Sequence, residues 1–314
     1  MDRRQFLGQI SGAIGFAAEA MGAQTAHRRR RRVVHPAANP RLARVGISSW
    51  SFHNYFRSTR EPSAPEPQEW FALLDFPAMV ADRYKVHNLE FVAPHFASGE
   101  QAYIVELKRQ LTRAHSRLIN IPVDIQELWT KGGLSDPSPA VRATAITAVK
   151  KWIDIAHQLG ARSVRADPGK MNPENLAPTI DSYKQLAVYG RTKSVYVIIE
   201  NHGGVGSEHP SQLVRLFNEV GGKFIGALPD FGNFPDEATR RRGLKILFPY
   251  APTVCHAKGL DFDAAGAETR FDFPQCVAIS KAARFKGVYS IEYEGSANPY
   301  DGVQKVVNEL VKYL

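Results

Sequence analysis

Eight short β-rich runs, each followed by a longer segment of helical spacing, predict a (β/α)8 TIM barrel in a single domain. Two further observations point the same way. The runs read as nearly continuous apolar stretches, the pattern of parallel strands covered on both faces. The eight units also fit in about 270 residues of the 314-residue chain, a usual size for such a barrel. An open doubly wound sheet is the alternative, and the absence of a G-x-G-x-x-G run after the first strand weakens it.

In chain order, the strands are expected over Ala43 to Ser49, Asn88 to Ala93, Arg117 to Val123, Ala161 to Ala166, Ser194 to Glu200, Lys223 to Asp230, Pro252 to Ala257 and Gly287 to Tyr293. The clearest helix runs from Ser138 to Leu159. Ser138 is a capping residue type, Pro139 suits the first helical position, and Gly160 stops the helix. Its apolar stripe is Val141, Ile146, Val149, Ile153, Ile155 and Ala156. The last helix, Pro299 to Leu314, places Val303, Val306, Val307, Leu310 and Val311 on one face.

With 44% hydrophobic and 23% charged residues, the composition is that of a globular protein rather than a disordered one. The two cysteines, Cys255 and Cys276, are too few for a disulfide framework. The net charge is +9, and the block Arg28–Arg32 supplies five of those charges, leaving +4 for the rest. That block reads as a solvated arm. The remainder has no basic stripe interleaved with aromatics, so no nucleic-acid partner is expected.

Residues 1–26 resemble a twin-arginine export signal. Arg3 and Arg4 are followed by Phe6 and Leu7, a weakly apolar Gly/Ala-rich stretch, and small residues that offer cleavage positions. Gln9 and Glu19 make the stretch too polar for a good membrane span, and no later segment is apolar enough for one. The expected organisation is an export signal over 1–26, an arginine-rich linker over 27–40 and the barrel over 41–314. The export machinery is then a partner, and the periplasm or exterior the destination. The pattern is compatible with a homo-oligomer.

In this fold, chemistry collects at the carboxyl ends of the strands. The fifth strand ends "VIIENHGG", with Glu200 and His202. The sixth ends "PDFGN", with Asp230 and Asn233. The seventh ends "CHAK", with His256 and Lys258, and the eighth ends "IEYEG", with Glu292 and Glu294. Glu200, Asp230, His256 and Glu292 make a set of three carboxylates and one imidazole. Converging without a cation, the carboxylates would repel one another. The set suits one divalent metal. Its oxygen-rich character favours Mn²⁺, with Mg²⁺, Co²⁺ and Zn²⁺ as alternatives. Lys258 and His202 are candidates to act on substrate. His95, past the second strand, is a candidate for substrate contact or general base. Trp50 and Phe52, past the first strand, are candidates for an apolar wall against a bound substrate. Arg165, in the fourth strand, is expected toward the barrel mouth.

"LEFVAPHF", "IENHGG", "LPDFGNF", "CHAKGLDFD" and "GVYSIEYEG" together resemble the strand-end motifs of the xylose isomerase-like TIM barrels, the sugar phosphate isomerase/epimerase group. The spacings agree, with 30 residues from Glu200 to Asp230, 26 more to His256 and 36 more to Glu292. The resemblance covers residues 43–314. It implies that Glu200, Asp230, His256 and Glu292 are the metal ligands, and that Glu200 and Glu292 also act as acid and base on opposite faces of a bound sugar. It implies proton abstraction beside a carbonyl, with the metal holding an ene-diolate. Epimerases of the group often carry a histidine where this chain has Asn233, and an amide can hydrogen-bond substrate, which makes Asn233 a substrate-binding candidate, but cannot shuttle a proton at neutral pH. A sugar isomerase or epimerase is therefore the leading expectation. The alternatives are a dehydratase or lyase on keto-sugars or 3-keto-glycosides with the same site, and a non-catalytic sugar-binding barrel. Abasic-site endonucleases share the fold but need more histidines than "GLDFDAA" supplies after the seventh strand.

Overall fold

All eight expected strands form in the computed structural model, which describes residues 39–314. They are β1 (Val45–Ser48), β2 (Asn88–Glu90), β3 (Arg117–Pro122), β4 (Ser163–Arg165), β5 (Tyr196–Glu200), β6 (Ile225–Leu228), β7 (Val254–Gly259) and β8 (Val288–Tyr293). The export signal expected over 1–26 and nearly all of the linker expected over 27–40 lie outside the described residues.

The strands form one parallel sheet in the order β6-β5-β4-β3-β2-β1-β8-β7. β6 stops at Leu228, short of the expected Asp230, because Pro229 has no N–H to continue a ladder. The seam between β6 and β7 then closes through a single parallel bridge, Asp230 opposite His256. There the Phe231 N–H donates to the His256 carbonyl at 3.2 Å, and the His256 N–H donates to the Pro229 carbonyl at 3.0 Å. Two metal-ligand candidates therefore sit on the residues that join the sheet's ends.

Ten α-helices occur among the described residues: α1 (Phe76–Tyr84), α2 (Gln101–Arg113), α3 (Gln126–Trp129), α4 (Pro139–Leu159), α5 (Ala177–Lys193), α6 (Gly204–Glu208), α7 (Pro210–Val220), α8 (Glu237–Leu247), α9 (Phe273–Ala282) and α10 (Pro299–Tyr313). α4 begins at Pro139 and ends at Gly160, whose φ of 80° is the left-handed conformation glycine takes most easily. The cap differs from expectation. The Ser138 side chain makes no capping bond, and its backbone N–H is held instead by Asp136 Oδ1 at 2.8 Å. α10 is capped by Asn298, which accepts from the Tyr300 N–H at 2.9 Å. None of the described helices is long and apolar enough to cross a membrane.

Strand alternation sorts the side chains into two environments. Val197 and Ile199 of β5, Cys255 and Ala257 of β7, and Tyr289 and Ile291 of β8 belong to the main core. The alternate residues Ile198 and Val254, with Ile119 and Leu228, form a separate small apolar cluster, against which Tyr196 and Val288 pack. One step further along the same faces come Glu200, His256 and then Ser290 with Glu292. An apolar layer thus supports a polar one, and the charged groups are lifted to the carboxyl ends of the strands.

Candidate metal centre

Glu200, Asp230, His256 and Glu292 come together as expected. Each offers a ligand atom within 4.8 Å of the others, and all four residues are buried. His256 is central. Its Nδ1 lies 3.1 Å from Glu200 Oε1, 3.2 Å from Glu292 Oε2 and 3.5 Å from Asp230 Oδ2. Its Nε2 lies 2.9 Å from Glu90 Oε1. An ionised carboxylate only accepts, so the Nε2–H donates to Glu90, and Nδ1 is the nitrogen that faces the three carboxylates, where it donates as an imidazolium N–H or, once deprotonated, would hold a cation.

Asp230 is shaped by its own turn. Oδ1 accepts the N–H groups of Gly232 at 2.6 Å and Asn233 at 2.8 Å. Oδ2 is buried and makes no hydrogen bond. Its cationic neighbours, Lys258 Nζ at 3.4 Å and His256 Nδ1 at 3.5 Å, stand at ion-pair distance without a hydrogen bond, so the oxygen can still meet a closer cation. That oxygen, the aimed Nδ1 and the oxygen-rich donor set fit a divalent metal ion held by Glu200, Asp230, His256 and Glu292.

Electrostatics inside the cluster are strong. Burial disfavours the His256 imidazolium, but Glu292, Glu90 and Glu200 outweigh it and raise its pKa well above the usual value. Burial would push the Glu292 carboxyl up, yet His256 and Lys258 hold it well below the usual carboxylate range. Lys258 is not a surface lysine. It is buried, with Nζ 2.6 Å from Glu292 Oε2, 3.0 Å from Glu294 Oε1 and 3.4 Å from Asp230 Oδ2. Asn233 donates from Nδ2 to Glu200 Oε1 at 3.0 Å, which makes it a holder of that carboxylate.

Other candidates are placed less as expected. Arg165 does reach the site, but as a buried clamp. It grips Asp124 with two bonds of 2.8 and 3.0 Å, and it meets Asp167 at 2.7 Å and Glu200 at 3.2 Å. Both terminal nitrogens are taken by Asp124 and Asp167, and Nε faces Glu200 at ion-pair distance without a hydrogen bond, so the buried guanidinium is placed to position Glu200 rather than to reach for substrate. Phe52 is buried among Tyr55, Phe71, Phe76 and Tyr300, so the apolar wall expected there falls to Trp50 alone. Trp50 is half-buried, stacks on His53 at 4.8 Å, and donates from Nε1 to Glu294 Oε1 at 2.7 Å.

His95 is also a correction. It is buried, its Nδ1 meets Ser49 Oγ at 2.8 Å, its Nε2 meets Thr59 Oγ1 at 2.9 Å, and its ring stacks on Phe56. Both nitrogens are occupied within the protein, so it offers substrate no free edge. Burial, with His53 nearby, pushes its pKa down to about 3 from 6.5. Below pH 6.5 the unfolded chain binds a proton here that the folded chain refuses. Stability is therefore expected to fall as pH drops from 6.5 toward 3, by at most about 1.4 kcal/mol per pH unit from this group. Urea unfolding at pH 7 and pH 5 checks this. The pH-dependent loss should shrink in His95→Gln, and an unchanged loss would refute the assignment.

Three site residues escaped the sequence reading. Glu90, at the end of β2, receives Asn120 Nδ2 at 2.8 Å as well as His256. A register shift between Leu89 and Glu90 aligns Glu90 with Asn120 and so creates that pair. The signal was the alternation Asn88, Leu89, Glu90, Phe91, which turns the polar residues to the barrel interior. Asp124 and Asp167 lie just past β3 and β4, where the rule that singled out Glu200 applies equally. His202, by contrast, is half-exposed at the rim, with Nδ1 2.8 Å from Asp167 Oδ2. The hydrogen bond to Asp167 outweighs burial and raises its pKa to about 9.

An eight-strand parallel barrel with three carboxylates and an imidazole gathered at the tips of β5 to β8 defines the class: a (β/α)8 barrel with a candidate acidic and histidine metal site. The family model described as "Xylose isomerase-like TIM barrel" matches residues 85–313, and the chain belongs to that family. Among solved structures it is similar to a D-allulose 3-epimerase from Methylomonas sp., at 13% identity, covering 88% of this chain and 100% of that one, with a TM-score of 0.67. It is similar to a xylose isomerase-like TIM barrel protein from Mycobacterium smegmatis in complex with magnesium, at 15% identity, 86% and 97% coverage and a TM-score of 0.58. It is also similar to a probable 3-DHS dehydratase from Bacillus anthracis, at 11% identity, 85% and 98% coverage and a TM-score of 0.61. At these identities the likeness carries the fold. No curated protein sequence matches the chain.

Proposed function

We propose that this protein is a divalent-metal-dependent sugar isomerase or epimerase that works by proton abstraction beside a carbonyl. The observation that carries this reading is the convergence of Glu200, Asp230, His256 and Glu292 within 4.8 Å, which puts two glutamates from separate strands beside one cation position. The epimerase among the similar structures supports the reaction class.

A bound divalent ion, Mn²⁺ by the donor set, would polarise the substrate carbonyl and offset the charge left when the neighbouring carbon loses its proton. Glu200 and Glu292 are the acid–base pair. Their surroundings differ in a way that suits two roles. Glu200 is held by Asn233 and Arg165, and Glu292 by the Lys258 ammonium. Asn233 orients but does not relay a proton. Lys258 holds a proton next to Glu292, where a substrate oxygen could accept it. Trp50 offers an apolar face at the rim.

One observation favours the lyase reading on keto-sugars or 3-keto-glycosides. His202 and Asp167 form a hydrogen-bonded pair at the rim, two residues beyond Glu200, placed to meet a departing group. The dehydratase among the similar structures is in keeping with it. We also propose twin-arginine export on the strength of Arg3, Arg4, Phe6 and Leu7, to be checked by cell fractionation.

The deciding experiment is solvent deuterium incorporation. Metal-loaded protein in D2O, offered D-fructose, D-tagatose and D-allulose, should place deuterium beside the carbonyl. Glu200→Gln and Glu292→Gln should each slow this by about 10²-fold or more. Loss of water or of a leaving group on a keto-glycoside would move the assignment to the lyase. Sugar binding with no exchange, unaffected by Glu200→Gln, would overturn the enzymatic reading in favour of a binding barrel.

A further inference from the structure

We infer that the cavity between Trp129 and His202 is a subsite for a second sugar ring, so that the preferred substrate is a glycoside that carries a further ring beyond the sugar at Glu200. This rests on the proposed action on sugars and adds what the site selects. The cavity is about 470 Å³, and the metal-ligand candidate Glu200 forms part of its wall. That volume lies in the range of small-molecule sites, about 300–1,000 Å³, and the shared wall makes the cavity continuous with the chemistry.

Trp129 is the feature that calls for a ligand. It is 47% exposed, and it is the one aromatic among the large apolar side chains left exposed in the described residues. Its ring meets His202 edge-to-face at 5.9 Å, so aromatic surface and imidazole line one wall. A pyranose ring has an apolar C–H face and polar edges. Trp129 matches the face, and two groups match the edges. His202 is held through Nδ1 by Asp167, which leaves its Nε2 with no hydrogen-bond partner among the described residues. Lys170, exposed on the same wall, supplies an ammonium donor.

The platform is braced rather than loose. The loop after β4 packs against the carbonyls of Leu128 in α3 and Gly132 just beyond it. A Cβ at Gly169 would fall 2.5 Å from the Gly132 oxygen and 2.9 Å from the Leu128 oxygen, and Gly169 has φ +76°. The Lys170 N–H bonds the same Gly132 carbonyl at 3.2 Å. Opposite, Gly203 and Gly204 have nothing near the position of a Cβ, which keeps that side open.

Calorimetric titration of the metal-loaded full-length protein tests this, with cellobiose, lactose, maltose and trehalose compared with glucose and galactose. At least one disaccharide should bind about tenfold or more tightly than its own monosaccharides. Trp129→Ala should bring it to within about twofold of them, leaving metal content and monosaccharide affinity unchanged, and Trp129→Phe should retain most of the preference. No preference for any disaccharide, or equal weakening of both sugar classes by Trp129→Ala, would overturn the subsite. The proposed function fails separately. Disaccharide preference without deuterium exchange on any keto-sugar leaves the subsite standing and removes the enzyme, whereas exchange without preference does the reverse.

Discussion

Protein loaded with Mn²⁺ and then desalted is expected to retain about one ion per chain, and His256→Ala to retain almost none. His256 Nδ1 is the only nitrogen in the candidate donor set, it stands within 3.5 Å of an oxygen of each of the other three ligand candidates, and Glu90 holds the ring through Nε2. Removing it leaves three buried carboxylates that repel one another and a Lys258 that neutralises them instead. Proton abstraction should fall by about 10³-fold or more, since electrophilic stabilisation of the developing charge is lost with the ion. Glu90→Gln should show a graded version. It keeps the ligands but weakens the acceptor that orients the ring, and is expected to lower metal affinity by about 10- to 100-fold. Mass-spectrometric metal analysis of the three proteins reads both effects. Equal metal content in wild type and His256→Ala would sink the proposed centre.

The second large effect belongs to Arg165. Its guanidinium serves Asp124, Asp167 and Glu200 at once from a buried position. The pKa directions agree with that load. Burial opposes the charge on Arg165, yet Asp124, Asp167 and Glu200 raise it well above its usual value. Truncating one partner of a buried charge network leaves the others uncompensated, which typically costs about 3–5 kcal/mol. Arg165→Met is therefore expected to lose stability by about that amount in urea unfolding. Adding Asp124→Asn should recover part of the loss, because one orphaned charge goes with it. A stable Arg165→Met protein with normal metal uptake would show that the clamp matters little. The pair also separates two readings of Arg165, since a residue that only contacted substrate would change KM and leave unfolding untouched.

Much of the architecture was legible because its signals are local. A buried parallel strand must be apolar along its whole length, and Pro139 and Gly160 mark helix ends by their own backbone chemistry. The four ligand candidates were legible for a related reason. A carboxylate or imidazole at the end of an apolar run has few bland explanations when four successive strands repeat it. Phe52 and His95 show the limit of that rule. They follow strand tips as Trp50 does, but the 3-10 turns after β1 (Ser49–Tyr55) and β2 (Ala93–His95) fold them inward, Phe52 into an aromatic cluster and His95 between Ser49 and Thr59.

By itself, then, the sequence determined the number and order of strands, the parallel barrel and the residue types delivered to its rim. Periodicity and strand-end chemistry depend only on neighbours along the chain. Tertiary structure alone decided how those residues divide the work. It paired Glu90 with a histidine 166 positions away, made Arg165 a clamp for three carboxylates, buried Lys258 against Glu292, and set Trp129 beside His202 at an open cavity. Contacts of that range arise when the barrel closes at Asp230 and His256 and brings strand interiors face to face. No local pattern records where a side chain will end once that closure has happened.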